Sequence, residues 1–412
     1  MNTRNRSFTV IFMVIFIDLL GFGIIIPILP YFSENVLLMN KTTIGLLTGI
    51  YSLMQFVFTP VWGSLSDVYG RKPILTMSLL GNVIAYSAMA LVFTNVVASI
   101  PLLFIARAFA GFFSANLSAA QAVVSDITAP EERSKGMGII GAAFGLGFVF
   151  GPALGGFLSY YFGYGLPMIL SAAFSLIALT VCISVFKETL PEDLKIHNKK
   201  SFSLSDVKVI NFRAVNDVIK NKNVGIYVII FFFITFSFAN IFGNFQYFIE
   251  RKEGLNMNAE QAGFLLSYLG IIAAIVQTGF IKAFKKWIGE KKSVIIGNIL
   301  VCVGLFFIPF STSVWMLLFV MTILGFGNGL NNAMTLGLIS QNVSRQEQGS
   351  VLGINQSLSS LARFIGPLWG GFIYDRFSYH YPFISGSVFM LIITVIAVIV
   401  LRNRKLQSAK SV

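Results

Sequence analysis

Long apolar runs separated by short polar stretches set the pattern of this chain from residue 8 to residue 401. A helix needs about 20 apolar residues to cross the hydrocarbon layer of a bilayer. Twelve runs approach or exceed that length, near residues 8–30, 43–65, 73–94, 101–125, 135–158, 163–186, 224–248, 260–283, 293–310, 314–339, 350–372 and 381–401. Each predicts a membrane-spanning helix. The first run is too long for a signal peptide and lacks a small-residue cleavage site, so it reads as span one.

The single long hydrophilic connection, residues 187–223, carries eight basic residues and has six runs on either side. It divides the chain into a six-helix bundle at 1–186, a linker at 187–223 and a second six-helix bundle at 224–412. The two parts echo one another. GPALGGF at 151–157 recurs as GPLWGGF at 366–372, and Asn116 matches Asn331, Glu132 matches Glu347 and Gly138 matches Gly353, all at an offset of 215 residues. YFSE at 31–34 returns as YFIE at 247–250. A duplicated six-helix unit is the arrangement in which a substrate site forms near the bilayer midplane between repeats.

Composition agrees with a membrane protein: 56% of residues are hydrophobic, 14% aromatic and only 11% charged. The net charge of +13 raises nucleic acid as a partner, but the placement of the charges answers it differently. With a cytoplasmic N-terminus, 24 of the 30 Lys and Arg fall on the cytoplasmic face or at the span ends beside it, four on the opposite face (Lys41, Arg251, Lys252, Arg376) and two deep within spans (Arg107, Arg363). That is the positive-inside asymmetry. It predicts a multi-pass protein of the cell membrane with both termini cytoplasmic, its basic surplus facing anionic lipid headgroups rather than nucleic acid. Cys182 and Cys302 lie inside apolar runs and read as packing residues, and His197 and His380 fall in loops.

Three stretches carry more specific information. GSLSDVYGRKP at 63–73, between spans two and three, resembles the G-x-L-x-D-x-x-G-R-[KR] loop of the major facilitator superfamily. Gly63 and Gly70 suit close helix approach and a tight turn, and Asp67 is placed to face Arg71 or a helix N-terminus, with Lys72 following. The equivalent second-half connection, FKKWIGEKK at 284–292, keeps a glycine and lysines but has no aspartate. In span four Arg107 and Gly111 match the family's R-x-x-x-G pattern. In span five GAAFGLGFVFGPALGG resembles the motif of the superfamily's exporter branches, with Gly147, Gly151 and Gly155 on one helix face, Gly156 beside them and Pro152 able to bend the helix.

With the DLLGFGIIIPILP opening, the chain is similar to the twelve-span drug:proton antiporters, most closely the tetracycline-resistance-type exporters. The resemblance implies an all-α protein of two pseudo-symmetric six-helix bundles around a central cavity opening alternately to either side. It implies export of small amphipathic molecules against protons, by a protein working as a monomer without a cofactor.

Asp18 is the one acid deep in a span, roughly 15 Å from the start of span one. A charge there is costly, and such groups face a cavity or a partner. Burial penalises the charged form of a carboxyl group, which suits it to exchanging protons. The alternative is a fixed ion pair with Arg107 or Arg363, both roughly 20–27 Å deep by the same rise. Related exporters place a coupling acid in span one, so the resemblance implies proton coupling through Asp18, with Arg107 beside it. A charge cluster of Asp67, Arg71 and Asp126 is expected to gate the cytoplasmic side.

Uncharged polar residues within spans offer anchors for an amphipathic substrate among 42 phenylalanines. Those singled out are Asn116 and Gln121 in the first half, and Asn240, Asn244, Asn328, Asn331 and Asn332 in the second. The two deep arginines keep a second transporter reading open, a carrier of an organic anion or metabolite with Arg363 in its site. A receptor or scaffold fits the deep ionisable residues poorly. An enzyme fits least, because no nucleotide-binding pattern, metal-ligand cluster or nucleophile-base pair is visible.

Overall fold

The computed structural model describes residues 3–128, 133–192, 212–221, 224–251, 254–343 and 348–410. The repeat pair Glu132 and Glu347, His197 and most of the linker lie outside them.

In the first half the helices are α1 (Thr3–Ile25), α2 (Ile28–Asn35), α3 (Lys41–Tyr69), α4 (Arg71–Phe93), α5 (Ile100–Phe113), α6 (Leu117–Ile127), α7 (Arg133–Phe162) and α8 (Gly165–Val185). The linker contributes the short α9 (Phe212–Lys220). The second half has α10 (Gly225–Ile249), α11 (Ala259–Ile275), α12 (Ile281–Trp287), α13 (Glu290–Phe307), α14 (Val314–Gln341), α15 (Gln348–Arg376) and α16 (Tyr381–Lys410). Apolar side chains forced every backbone polar group to find a partner within its own segment, and the helix is the fold that achieves this in hydrocarbon.

Among the described residues, eleven helical segments are long and apolar enough to cross a membrane. The twelfth expected span, α15, is 29 residues long. Its apolarity falls short because it carries Arg363, Gln348, Asn355, Gln356 and a run of serines.

Among the described residues four spans depart from a continuous α-helix, span nine by ending in a 3-10 turn at Ile308–Phe310. Span one breaks at Ile26 and Pro27, and span eight changes from α11 through a π-turn at Val276–Phe280 into α12. Span four breaks at Ser114, Ala115 and Asn116, between α5 and α6.

Two compact units emerge. Unit 1 comprises Met1–Met39, Ile50–Asn211 and Ala259–Ser267; unit 2 comprises Asn40–Gly49, Phe212–Asn258 and Tyr268–Val412. The first turns of α3 thus cluster with the second-half helices, and those of α11 with the first-half helices. Within unit 1, α7 meets α11 where a Cβ on Gly156 would lie 2.5 Å from the Ala259 carbonyl oxygen. Within unit 2, α15 meets α3 where a Cβ on Gly371 would collide with the Lys41 carbonyl. Gly156 and Gly371 are repeat partners, so the two seams are built alike.

Their ends differ. At the α3–α15 seam the Asp375 carboxylate accepts from the Thr42 backbone N–H at 2.7 Å, the Thr42 hydroxyl at 2.6 Å and the Lys41 N–H at 3.3 Å. At the repeat-related place on α7 the residue is Tyr160, more than half exposed.

Candidate functional site

Asp18 sits in α1 with 4% of its surface exposed. Its two carboxylate oxygens are taken by amides: Asn82 Nδ2 of α4 donates to Oδ1 at 2.6 Å, and Asn116 Nδ2 donates to Oδ2 at 2.7 Å. Both amides are held in turn. Ser114 Oγ donates to Asn82 Oδ1 at 3.1 Å, and Asn116 Nδ2 also donates to Ser78 Oγ at 2.5 Å. All four of these partners are buried.

The break in span four makes this arrangement possible. Interrupting the helix frees carbonyls that a regular turn would occupy, and buried carbonyls must find other donors. The Phe113 carbonyl accepts from Ser78 Oγ at 2.6 Å, the Phe112 carbonyl from Trp62 Nε1 at 2.7 Å and the Ser114 carbonyl from Gln55 Nε2 at 3.2 Å. Asn116 and Ser114 both belong to the break, so the Asp18 network and the interrupted helix are one structure.

Arg107 is buried in α5 and its guanidinium lies over the Tyr51 ring at 4.9 Å and the Phe22 ring at 5.8 Å. A cation over aromatic faces gains from their quadrupoles. Gly111, one turn on, packs against the Tyr51 backbone. Arg107 and Tyr86 of α4 thus share the neighbourhood of Asp18, with the Tyr86 side chain lying against Gly21.

The span-five glycines pack on the helix that carries the acid. A Cβ on Gly147 would lie 2.6 Å from the Leu19 Cβ, one on Gly151 would lie 2.7 Å from the Gly23 Cα, and one on Gly155 would collide with the Ile24 carbonyl. Backbones approach this closely only without side chains between them. Pro152 falls inside α7 and touches Gly23.

At the signature loop, Arg71 is 5% exposed and gathers the cluster. Its Nε donates to Asp126 at 3.0 Å, and its Nη1 donates to Asp67 at 2.5 Å and to Ser66 Oγ at 2.6 Å. Lys72 Nζ donates to the Ile183 carbonyl at 2.7 Å. Gly63 packs on Ser118. A further acid, Glu188, completes the group: its carboxylate accepts the N–H groups of Arg71 at 2.9 Å and Lys72 at 3.1 Å, closing the start of α4. Gly70 adopts φ 103° and ψ 159°, and a Cβ there would collide with Glu188. In the second half Gly289 makes the same turn with φ 85°, and the missing aspartate is replaced by a Lys285–Glu290 pair at 2.6 Å, with Gln341 donating to Glu290 at 3.0 Å.

Several residues expected at a cavity make contacts within their own half of the chain. Asn240 Nδ2 donates to the Pro382 carbonyl at 2.6 Å, joining α10 to α16, and Asn244 Nδ2 donates to Asn240 Oδ1 at 2.9 Å within α10. Asn331 is fully buried over Gly297. Asn328 is buried, while Gln121 and Asn332 are half-buried. Arg363 is half-buried in α15, where Nη2 donates to Ser360 Oγ at 2.8 Å. At its repeat position Phe148 packs edge-on against Phe22 at 5.8 Å.

His380, just before α16, lies 3.7 Å from the Tyr379 ring, and burial together with the Arg251 charge holds its imidazole below the usual range. Cys182 and Cys302 are both free thiols within helices.

Asn82, Ser78, Ser114 and Glu188 join the expected residues at these two places. Asn82 carried a usable signal, an amide roughly 16 Å along span three and so level with Asp18.

The major facilitator superfamily profile matches residues 11–287 and 284–411, nearly the whole chain. The chain belongs to the Major Facilitator Superfamily. It is 30% identical over 396 residues to the class H tetracycline resistance protein of Pasteurella multocida, covering 94% of this chain and 93% of that one. It is 29% identical over 400 residues to multidrug resistance protein 2 of Bacillus subtilis, covering 95% and 94%. Among solved structures it resembles the human organic anion transporter MFSD10 (TM-score 0.69, 21% identity, 96% of this chain and 100% of that one). It also resembles the nucleoside transporter NupG (TM-score 0.75, 13% identity, 97% and 100%). Both likenesses concern the fold. This major facilitator protein is therefore an all-α, multi-pass membrane transporter and not a member of an enzyme family.

Proposed function

We propose that this major facilitator exports amphipathic organic compounds, tetracycline-like molecules among them, in exchange for protons by alternating access, with Asp18 as the proton site. The observation that carries the reading is a lone carboxylate buried at mid-span, with both oxygens on neutral amides. A permanent charge in hydrocarbon is normally balanced by a directly bonded cation, whereas amide partners support either protonation state. The names of the relatives support the drug class. The basic loops support cytoplasmic termini.

The test is Asp18→Asn in everted vesicles supplied externally with radiolabelled tetracycline or a fluorescent lipophilic cation. The amide keeps the size and removes the proton site, so accumulation driven by an imposed pH gradient is expected to fall to background. A variant that still concentrates either probe under that gradient ends the coupling role of Asp18.

A second reading, transport of an organic anion, rests on Arg363, a half-buried cation well inside span eleven.

A further inference from the structure

The hydrogen bonds made to the Asp18 carboxylate, and the one behind Asn82, all run toward the acid. Donors point inward: Ser114 to Asn82 and Asn82 to one oxygen, Asn116 to the other. This polarity suits a carboxylate, which only accepts. When a proton from water adds to the carboxylate, the product is a neutral acid with a hydroxyl that must itself find an acceptor. Both nearest neighbours then present the wrong atom, and one amide has to turn over.

The two amides are not equally free to turn. Asn116 Nδ2 is committed twice, to Asp18 and to Ser78, and Ser78 spends its own hydrogen on the Phe113 carbonyl. Reversing Asn116 would undo that whole arm. Asn82 faces Ser114, a hydroxyl that accepts as readily as it donates. Rotating the Asn82 amide brings Oδ1 to the protonated acid and Nδ2 to Ser114 Oγ, and the hydroxyl hydrogen of Ser114 swings away. Each bond is replaced by its mirror.

We infer that Asn82 is a positioning residue that reports the protonation of Asp18 to the break in span four, by reversing its amide between Asp18 and Ser114. The inference rests on the proton reading above. Ser114 is the first residue of the break, its carbonyl held by Gln55 and its neighbour Phe113 held by Ser78. A change in what its hydroxyl does is therefore felt where the helix has least of its own bonding.

The other titratable groups around Asp18 are Tyr86 on α4, Tyr51 on α3 and Arg107 on α5. α7 meets α1 through glycines, and α8 carries only Cys182 as a titratable side chain.

The test needs no identified substrate. Purified protein in lipid is titrated while the infrared carbonyl band of protonated carboxyl groups is recorded, and the Asp18 component is the part lost in Asp18→Asn. In Asn82→Leu the carboxylate loses one charge-assisted bond, so the midpoint of that component is expected to move up by about one to two pH units. Ser114→Ala, which keeps the Asn82 bond but releases the amide from its orientation, is expected to move the midpoint the same way by less. If Asp18→Asn removes no titrating component, the proton reading itself fails. If it removes one and the Asn82→Leu midpoint is unmoved, the proton reading stands and the inference about Asn82 is overturned. Should Asn82→Leu fail to insert, Ser114→Ala decides alone, since an unmoved midpoint there removes the link to span four.

Discussion

The turn at Gly70 offers a measurement in which the protein supplies its own control. Gly70 and Gly289 open α4 and α13 with nearly the same backbone, φ 103° and ψ 159° against φ 85° and ψ 154°. That region belongs almost wholly to glycine, and an alanine held there costs about 1–3 kcal/mol. At Gly289 nothing lies within 4 Å of an added Cβ, so strain is the whole effect. At Gly70 the Cβ would also displace Glu188 from the N–H groups of Arg71 and Lys72, and losing such a cap costs about 0.5–2 kcal/mol more. Gly70→Ala should therefore exceed Gly289→Ala by that second amount, about two- to thirty-fold in the unfolding constant. The assay is reversible denaturation in mixed micelles, followed by thiol labelling of the buried Cys182. In a Glu188→Ala background the difference between the two alanine variants is expected to vanish. Equal costs for both glycines in the wild-type background would refute the argument and leave Glu188 without a role in closing α4.

The two acids on Arg71 should not be equivalent. Asp126 is 21% exposed at its side chain and Asp67 is 56% exposed, so Asp126→Asn is expected to cost about 1.5–3 kcal/mol and Asp67→Asn under about 1 kcal/mol, read as denaturation midpoints. A larger loss from Asp67→Asn would mean that the exposed arm holds the loop. At Arg363, substitution by Gln separates the two transport readings. An anionic substrate should lose at least tenfold in apparent affinity through the missing charge-assisted contact, whereas a neutral or cationic amphipath should keep its affinity while the pH profile of its transport changes.

The spans were legible because a run of apolar residues has one cheap structure in hydrocarbon, and its length is written directly in the sequence. The break in span four was not. Ser114-Ala115-Asn116 contains neither glycine nor proline, and what stabilises it are donors from other helices, Trp62, Gln55 and Ser78, which periodicity along one helix cannot register. The same limit applies to the site. Asp18 stood out as a lone acid, but its partners are ordinary amides and hydroxyls whose meaning depends on depth and facing. Asn240, expected to line a substrate site, has its amide on the Pro382 carbonyl of α16, with Asn244 bonded to it along α10. Glu188 read as the start of a charged linker, although its carboxylate closes a helix more than a hundred residues earlier.

The two glycine seams also matter for what an experimenter can turn. The α3–α15 seam ends in a carboxylate seated on a helix N-terminus, an exposed attraction worth about 0.3–1 kcal/mol that salt screens. The α7–α11 seam carries an exposed tyrosine at the matching place, and its glycines Gly156 and Gly263 lie directly against backbone of the facing helix. Joints copied from one ancestor thus answer to different variables: ionic strength loosens the first, and shape, a methyl group added or removed, acts on the second.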